Sequence, residues 1–470
     1  MSFFTADNVA TVTGGRWMTA PASDEPLRGV GIDTRNNLDG RVFVAIRGAT
    51  HDGHDFVPAA TGARVIVVDR ETAATRSTAG VLLVTDTRVA LGQLAAAWRQ
   101  TLTQTVVIAV TGSCGKTTVK SLLDTVLSAR LAGRAAPRSF NNDIGLPLAI
   151  LAARPDDRYL VLEIGANNPG EIAQLARIAR PDIGVITMIG RAHLQGFGSV
   201  ENVAAEKAAM LKYLQGRQLA VVNADAPGLR RHLHHAGRVV LFGESTDADL
   251  RLTGWAARSN GGRFSVNDRT HFDLGLPGRH NAVNAVAVVA VARQMGLDDR
   301  DIAEALAACS PVAMRLSRHV VGSVTFYNDA YNANPDSTAA SLESFIHLAA
   351  DAPRRVLVLG DMLELGPDAA EQHREVGRRV IELDRQMHID QLVLVGKLSS
   401  HTAEPILDRW PRERLTMVDD LDRSTAAAVA AMLQPGDAVL LKGSRDIGLE
   451  TVIDAVAERQ NPEPSNAPSA

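Results

Sequence analysis

Apolar and polar positions follow two periodicities along this chain, and together they predict an α/β protein. Short, nearly continuous apolar runs predict buried strands, because a strand covered on both faces needs no polar side. Between these runs lie segments whose apolar residues recur every three or four positions, which is typical of amphipathic helices. From residue 105 onward the two kinds of segment alternate, and this order predicts parallel sheets with helices on both faces.

The same pattern divides the chain into three blocks. The first contains three short β-rich runs and closes on one helical stretch; the runs are 41–48, 63–70 and 80–87. The second block alternates strands with helices and then carries an antiparallel hairpin around "SNGGR", and a second strand–helix series follows. The units that we predict are an N-terminal domain (1–103), a central domain with a mostly parallel sheet (104–312), a doubly wound Rossmann-like domain (313–458) and a disordered tail (459–470).

Composition narrows the class of protein. A length of 470 residues suffices for roughly three domains, and 46% hydrophobic with 22% charged residues is ordinary for a soluble globular protein. The net charge of −4 argues against a general binder of nucleic acid or anionic membranes. Two cysteines are too few for a disulfide framework and favour a reducing cytoplasm. We find no signal-peptide pattern at the start and no apolar run near the ~20 residues of a membrane span.

The clearest chemical signal is "VVIAVTGSCGKTTVKSLL", residues 106–123, where a strand passes through a glycine-rich turn into a helix. A phosphate-binding loop needs small residues that leave backbone N–H groups open and a helix N-terminus behind them. Lys116 supplies charge for phosphates and Thr117 a hydroxyl for magnesium. Val110 occupies the position of the usual first glycine, so an ordinary turn with a surface lysine is the alternative. The nucleotide contacts that we predict here are Gly112, Ser113, Cys114, Gly115, Lys116, Thr117 and Thr118.

Polar residues follow two neighbouring strands of the central block. Glu163 ends "YLVLEIG" and His193 follows "DIGVITMIG", and ligands collect at the carboxyl ends of parallel strands. A loop polar residue without a function is the alternative for each. Lys207 lies on the apolar stripe of a predicted helix, whereas Lys212 lies off it. Lys207 either extends from the stripe edge into solvent or is held beside the nucleotide, paired or covalently neutralised.

Six motifs in this order resemble the Mur ligases, a three-domain family that uses ATP to form peptide bonds in peptidoglycan synthesis. The motifs are "TGSCGKTT" (111–118), "EIGANNPGEI" (163–172), His193, Lys207, "LPGRHNAVNA" (276–285) and "PVAMRL" (311–316). More specific motifs point to one branch of the family, and they are "FNNDIGLPL" (140–148), "NDAYNANPDS" (328–337), "VLGDMLELG" (358–366) and "LLKGSRDIGLE" (440–450). Residues 32–56 resemble the family's uridine-nucleotide domain. The resemblance covers nearly all of the chain up to about residue 455.

The resemblance implies an ATP-dependent ligase that joins D-alanyl-D-alanine to the terminal carboxylate of UDP-N-acetylmuramoyl-tripeptide through an acyl phosphate. ATP and Mg²⁺ are the implied cofactors, small molecules are the implied partners, and we expect a cytoplasmic monomer without nucleic-acid or membrane binding. Another Mur ligase or a folylpolyglutamate synthase is the nearest alternative. A nucleotide-dependent switch protein is an alternative of a different class.

The resemblance also assigns roles to single residues. Catalysis falls to Lys116, Lys207, His193 and Arg315. Metal binding falls to Thr117, Glu163, His193 and Lys207, the lysine as a carbamate. Further nucleotide contacts are His280, Asn281, Arg315 and Asp329. Substrate contacts are Thr34, Arg35, Asn141, Asn142, Asn332, Asn334 and Arg445, with Lys442 and Ser444 as further candidates for a phosphate or carboxylate. Asn168 departs from the family, which commonly has His there.

Overall fold

Three sheets follow one another along the chain, one in each predicted block. The computed structural model describes residues 3–71 and 79–460. Most of the predicted tail, 461–470, lies outside the described residues. Among the residues that are described, no helix is both long enough and apolar enough to cross a membrane.

The first sheet has five strands, and its helices are α1 (Ala6–Thr13) and α2 (Thr87–Thr101). The strands are β1 (Arg16–Thr19), β2 (Val30–Gly31), β3 (Val42–Val44), β4 (Val65–Val68) and β5 (Gly80–Leu83). Their order is β1-β5-β4-β3-β2, and only the β1–β5 pair is antiparallel. Each of the three predicted runs forms a strand. The sequence pattern missed β1 and β2, because none of their residues is fully buried and neither strand forms a continuous apolar run.

The central sheet has nine strands in the order β14-β13-β12-β11-β10-β9-β6-β8-β7. They are β6 (Val106–Thr111), β7 (Gly133–Ala135), β8 (Tyr159–Glu163), β9 (Ile183–Ile186), β10 (Leu219–Asn223), β11 (Arg238–Gly243), β12 (Leu250–Arg258), β13 (Gly261–Val266) and β14 (Thr270–Leu274). Its helices are α3 (Lys116–Ser128), α4 (Gly145–Leu151), α5 (Glu171–Ala179), α6 (Leu194–Phe197), α7 (Val200–Ala208), α8 (Arg279–Gln294) and α9 (Asp299–Ala308). The predicted hairpin is confirmed, because β12, β13 and β14 pair antiparallel while β6–β12 pair parallel.

Strand β6 lies at the point where the strand order reverses. The chain goes from β6 outward to β7 and β8 on one side and then returns to β9 on the other. In open parallel sheets ligands bind outside the carboxyl ends of the strands at such a switch point. Residues 107–110 of β6 are completely buried, and alternate ones face the two core layers, as a strand with helices on both faces requires.

One predicted helix of the central block is shorter than its sequence pattern suggests. The apolar period over 200–214 predicted a single helix, but α7 ends at Ala208 and a 3₁₀ helix spans Ala209–Tyr213. The stripe itself is intact, because Val203, Lys207 and Met210 are all buried.

The third sheet has six strands in the order β15-β16-β20-β17-β18-β19, and only β15–β16 is antiparallel. The strands are β15 (Ser317–Val321), β16 (Val324–Asn328), β17 (Arg354–Gly360), β18 (Gln391–Val395), β19 (Leu415–Val418) and β20 (Asp437–Lys442). The helices are α10 (Pro335–Leu348), α11 (Ala369–Gln386), α12 (Ser400–Leu407), α13 (Arg423–Met432) and α14 (Thr451–Gln460). Helix α14 continues two residues past the predicted boundary at 458, and Arg459 Nη1 donates to the Ala430 carbonyl at 2.7 Å.

Short 3₁₀ helices complete the described elements. They are Gly53–Ala59, Ala209–Tyr213, Leu229–His235, Gly366–Asp368, Arg412–Arg414 and Arg445–Ile447.

Candidate active site

The loop between β6 and α3 is shaped by two glycines with positive φ. Gly112 has φ +149°, and a Cβ there would lie 2.1 Å from Thr187 Oγ1. Gly115 has φ +84°, and a Cβ there would lie 2.6 Å from Asn284 Oδ1. Any side chain at either position would displace the loop, so both glycines are required. Val110 needs no such freedom, because it is a fully buried residue within β6, paired with β8 and β9.

Lys116 is the first residue of α3 and turns back over the loop. Its Nζ donates to the Gly112 carbonyl at 2.7 Å. Loss of hydration lowers the pKa of Lys116, while the carboxylate of Glu163 opposes that shift. A cation beside the open N–H groups of a helix N-terminus is well placed to bind an anion.

Glu163, at the end of β8, forms the buried centre of the site and is 2% exposed. Its Oε2 accepts a hydrogen bond from Thr117 Oγ1 and its Oε1 one from Asn141 Nδ2, both at 3.0 Å. Lys120 Nζ lies 3.5 Å from Oε2. Burial favours a higher pKa for Glu163, but the charges of Lys116 and Lys120 and the Asn141 hydrogen bond outweigh it and lower the pKa. The group is therefore a carboxylate.

Lys120 was not predicted from the sequence. It is 5% exposed, on the same face of α3 as Lys116 and one turn further along. Its spacing of four residues from Lys116 places the two lysines on the same face of the helix and could have indicated a shared site. A lysine in an amphipathic helix is normally solvated, however, so this spacing alone did not single it out.

Arg315 reaches the loop from the segment that joins the central and third domains. Its Nη2 donates to Thr117 Oγ1 at 3.0 Å, and its guanidinium lies 4.5 Å from the ring centroid of Tyr331. The buried Nε has no hydrogen-bond partner among the described residues. An unpaired donor in this position suits an anionic ligand.

A small cleft of about 20 Å³ opens beside Arg315. One wall is α3 and the other is the segment that follows α9. Its lining includes Thr118, Ser121, Asn281, Pro311 and Arg315. The cleft thus continues from the phosphate-loop helix toward the predicted nucleotide motif at 280–281.

His193 contacts the third domain. It has a left-handed φ of +55° immediately before α6, and its Nδ1 lies 2.6 Å from Glu364 Oε2. Burial lowers the pKa of His193, the charge of Lys116 lowers it further, and Glu364 opposes both effects. A neutral imidazole is the form that binds metals.

Lys207 is 2% exposed, which contradicts the alternative of a lysine that extends into solvent. Its Nζ lies 3.5 Å from the Ala166 carbonyl and 5.5 Å from the Phe197 ring centroid, and no ion pair involves it among the described residues. The adjacent Glu206 instead accepts backbone N–H bonds at the start of α5. Burial and the charge of Lys116 lower the pKa of Lys207 to about 7. The nearby carboxylates of Glu206 and Glu171 oppose that shift in pKa without reaching the amine. Among the described residues, the amine is therefore buried without a direct ion pair.

Two of the predicted nucleotide contacts are held by internal hydrogen bonds. Asn281 Nδ2 donates to the Pro277 carbonyl at 2.7 Å, next to His280 in the first turn of α8. Asp329 accepts from the Leu316 N–H at 3.1 Å and pairs with Lys442 Nζ at 2.7 Å. Asp329 thus fixes the backbone beside Arg315.

The structure brings some of the predicted substrate residues to the site. Asn141 contacts Glu163, and Asn334 Nδ2 lies 3.3 Å from Cys114 Sγ in the phosphate loop. The neighbouring Asn142 has a different role, because its Oδ1 accepts from the N–H of Gly145, the first residue of α4, at 2.9 Å.

Other predicted residues make contacts elsewhere. Thr34 and Arg35 lie in a turn after β2, where exposed Arg35 pairs with Asp33 at 2.8 Å. Arg445 pairs with Glu450 at 2.6 Å. The remaining contacts are Asn332 Oδ1 with the Ala333 N–H (2.9 Å), Ser444 Oγ with the Leu363 N–H (2.9 Å) and Asn168 Nδ2 with Glu171 Oε1 (2.9 Å).

The oxygen atoms at this site suit a magnesium ion that is also bound to a phosphate, rather than a metal ion held by protein side chains alone. Among the described parts of the chain, no three His, Cys, Asp or Glu side chains are grouped closely enough to hold a metal by themselves. Thr117 and Glu163 present a hydroxyl and a carboxylate in direct contact. Mg²⁺ is commonly bound by one or two such oxygens together with substrate phosphates, so these residues fit that ion.

Family models match all three parts of the chain. The Mur ligase family catalytic domain matches residues 26–99, the Mur ligase middle domain residues 110–292, and the Mur ligase glutamate ligase domain residues 314–445.

Similar whole proteins agree with these matches. The UDP-N-acetylmuramoyl-tripeptide–D-alanyl-D-alanine ligase of Bacillus subtilis is 33% identical over 458 residues, covering 97% of this chain and 98% of that protein. The crystal structure of MurF from Acinetobacter baumannii has a TM-score of 0.84 at 29% identity, covering 97% and 99% of the two chains. MurF from Thermotoga maritima in complex with ADP has a TM-score of 0.78 at 28% identity, covering 92% and 98%. The chain belongs to the Mur ligase family.

Proposed function

We propose that this chain joins D-alanyl-D-alanine to the terminal carboxylate of UDP-N-acetylmuramoyl-tripeptide, with conversion of ATP to ADP and phosphate. The observation that carries the proposal is the buried Thr117–Glu163 pair beneath the phosphate loop, contacted by Arg315 from the domain junction. This arrangement suits phosphoryl transfer between substrates held by different domains. Full-length relatives that bear the name of this ligase support the choice of substrates.

The proposed chemistry overcomes the low reactivity of a carboxylate toward an amine. Transfer of the γ-phosphoryl group from ATP to the peptide carboxylate forms an acyl phosphate. The free amine of the dipeptide attacks its carbonyl carbon, inorganic phosphate leaves, and the amine proton is lost. Lys116 and Arg315 stabilise the negative charge on the moving phosphoryl group, which is the main requirement of such transfers.

We propose that Thr117 and Glu163 hold a first Mg²⁺ and that His193 helps to hold a second. When bound, the ions neutralise charge on the phosphate oxygens. His193 presents its Nδ1 to Glu364, so its Nε2 is the nitrogen left for a ligand.

We propose that the Lys207 amine reacts with CO2 to form a carbamate, with release of a proton. The modification replaces a buried amine that has no direct ion pair with an anion that has two oxygen donors, and so it removes the desolvation cost of a buried cation. The burial of Lys207 and the engagement of Glu206 with other groups support this proposal.

One edge of the sheet in the first domain carries three arginines, and Arg47 and Arg70 among them pair with Asp52. Arginines that the sequence analysis did not single out follow the carboxyl ends of three successive parallel strands, and they are Arg47, Arg70 and Arg88. Arg88 also pairs with Asp143 of the central domain at 3.0 Å. We propose that this edge, with Thr34 and Arg35, contacts the uridine nucleotide, and that the enzyme acts as a cytoplasmic monomer on small molecules.

The test is an assay of phosphate release from ATP with each substrate omitted in turn. We expect release only when ATP, UDP-N-acetylmuramoyl-tripeptide and D-alanyl-D-alanine are all present, because the acyl phosphate needs an acceptor for turnover. Tripeptides with diaminopimelate or lysine at the third position are compared in the same assay. Activity with a single amino acid in place of the dipeptide would favour another ligase, and release without any peptide would favour a nucleotide switch.

Substitution of Arg315 tests the proposed nucleotide contact. We expect Arg315→Lys to raise the KM for ATP by roughly 10–100-fold. The guanidinium of Arg315 can contact Thr117 through Nη2 and a phosphate through Nε at the same time, whereas a lysine has a single amine. The measurement is the ATP dependence of phosphate release. Arg300→Lys is the control, because Arg300 is 85% exposed on α9. An unchanged KM in Arg315→Lys would contradict the assignment.

A further inference from the structure

The loop from Thr187 to His193, which follows β9, is hydrogen-bonded to the phosphate loop. The Ser113 N–H donates to the Met188 carbonyl at 2.7 Å. Ser113 Oγ donates to the Gly190 carbonyl at 3.1 Å and accepts from the Gly190 N–H at 3.0 Å. The position of Gly190 is therefore tied to that of the phosphate loop.

The next residue, Arg191, binds two helices of the third domain. Its N–H donates to Asp336 Oδ2 at 2.8 Å, and its Nη2 lies 2.9 Å from Asp336 Oδ1 and 3.0 Å from Glu375 Oε1. Nη1 also contacts Glu375. Asp336 is in the first turn of α10 and Glu375 is in α11. A planar guanidinium can contact two carboxylates in this way, whereas an ammonium cannot present the same fork.

The domains approach closely at this point. A Cβ on Gly190 would lie 2.4 Å from Asp336 Oδ2, so a side chain there would separate the two elements. Asn334, which caps α10, also contacts Cys114 of the phosphate loop. The N-terminus of α10 therefore contacts the phosphate loop directly and, through Arg191, by way of the loop after β9.

The same loop presents His193 to the third domain. His193 pairs with Glu364, and the Gln195 N–H donates to the Glu364 carbonyl at 3.2 Å. The orientation of His193 thus depends on the docked third domain. Arg191 lies two residues before His193. It contacts two carboxylates of the third domain, whereas His193 contacts one.

We propose that Arg191 is a positioning residue that latches the third domain onto the phosphate loop and so orders both the loop and His193 for reaction. This inference rests on the proposed function for its kinetic consequence only. The contacts of Arg191 with Asp336 and Glu375 form in the protein without substrates, because all three residues belong to this chain.

The test compares Arg191→Met and Arg191→Lys with wild-type protein. For Arg191→Met we expect a larger radius of gyration by small-angle X-ray scattering and faster deuterium exchange of the amides at 111–118. We also expect a roughly tenfold higher KM for ATP with kcat changed by less than about threefold, because saturating substrates themselves favour docking. In each of these measurements Arg191→Lys should give a value between those of wild-type protein and Arg191→Met, since lysine keeps the positive charge but lacks the planar guanidinium.

Two further variants separate the latch from a general loss of charge. Arg258→Met removes an exposed arginine that pairs with Asp273 within the central hairpin, and it should match wild type in every readout. Combining Arg191→Met with Glu375→Gln should have less effect than the sum of the single changes, because both remove the same contact. Wild-type scattering and loop exchange in Arg191→Met, or equal changes in Arg258→Met, would overturn the proposal. If instead wild-type protein lacks dipeptide-dependent activity, the proposed function fails while scattering and exchange still decide the latch.

Discussion

Lys116→Ala is expected to abolish ATP-dependent phosphate release. The Lys116 amine lies over the loop, 2.7 Å from the Gly112 carbonyl, so a bound phosphate would meet this cation together with the N–H groups of α3. Removal of one such charge-stabilising donor typically costs ~10²–10³-fold in kcat. The loss in kcat/KM for ATP should be larger still, because Lys116 also contributes to nucleotide binding. Initial rates at saturating substrates measure the effect.

Lys212→Ala is the matched control for Lys116→Ala. Lys212 is exposed, and we expect its removal to leave the rate unchanged. Thermal unfolding of both variants shows whether the fold is retained. Turnover at the wild-type rate in Lys116→Ala would refute the assignment of the loop.

The second large effect is expected for Lys207→Ala, which should be nearly inactive and partly rescued by short carboxylates. If Lys207 is a carbamate, the substitution removes an anionic oxygen ligand and leaves a small cavity beside the Phe197 ring. Formate or acetate can enter such a space and supply an equivalent oxygen. Measuring the rate against carboxylate concentration tests this, with Lys212→Ala under the same additions as the control.

A second readout for Lys207 does not depend on activity. Wild-type protein equilibrated with ¹³C-labelled CO2 should show a carbamate signal by nuclear magnetic resonance, and Lys207→Ala should lack that signal. Full activity of Lys207→Ala without additives, or the same carbamate signal in both proteins, would contradict the modification.

Much of the fold was predictable because the relevant signals are local. The positions of β6, β8, β9, β10 and β11 follow from continuous apolar runs, and their parallel pairing follows from the helices between them. The apolar stripe of α7 also predicted the unusual position of Lys207 correctly. The break of that helix at Ala208 was not predictable, because the stripe continues through the 3₁₀ turn without a change in period.

Sequence patterns do not distinguish the roles of adjacent residues of the same type. Asn141 and Asn142 are chemically identical neighbours in one motif, yet Asn141 donates to Glu163 and Asn142 accepts from the first N–H of α4. A difference of one position changes the direction of a side chain completely, and only the backbone path decides which one faces the site.

The sequence by itself determined the α/β class, the strand–turn–helix unit at 106–123 and the Mur ligase resemblance, because each depends on residues close together in the chain or on motifs in a fixed order. Only the tertiary structure decided that Arg315 contacts Thr117, 198 positions away, that Lys120 faces Glu163, and that Arg191 spans two domains. Isolated charged residues such as these carry no periodic signal, and their partners are set by the packing of separate sheets against one another. The sequence therefore predicted the motifs of the candidate site, while the contacts between residues of different domains depended on the fold.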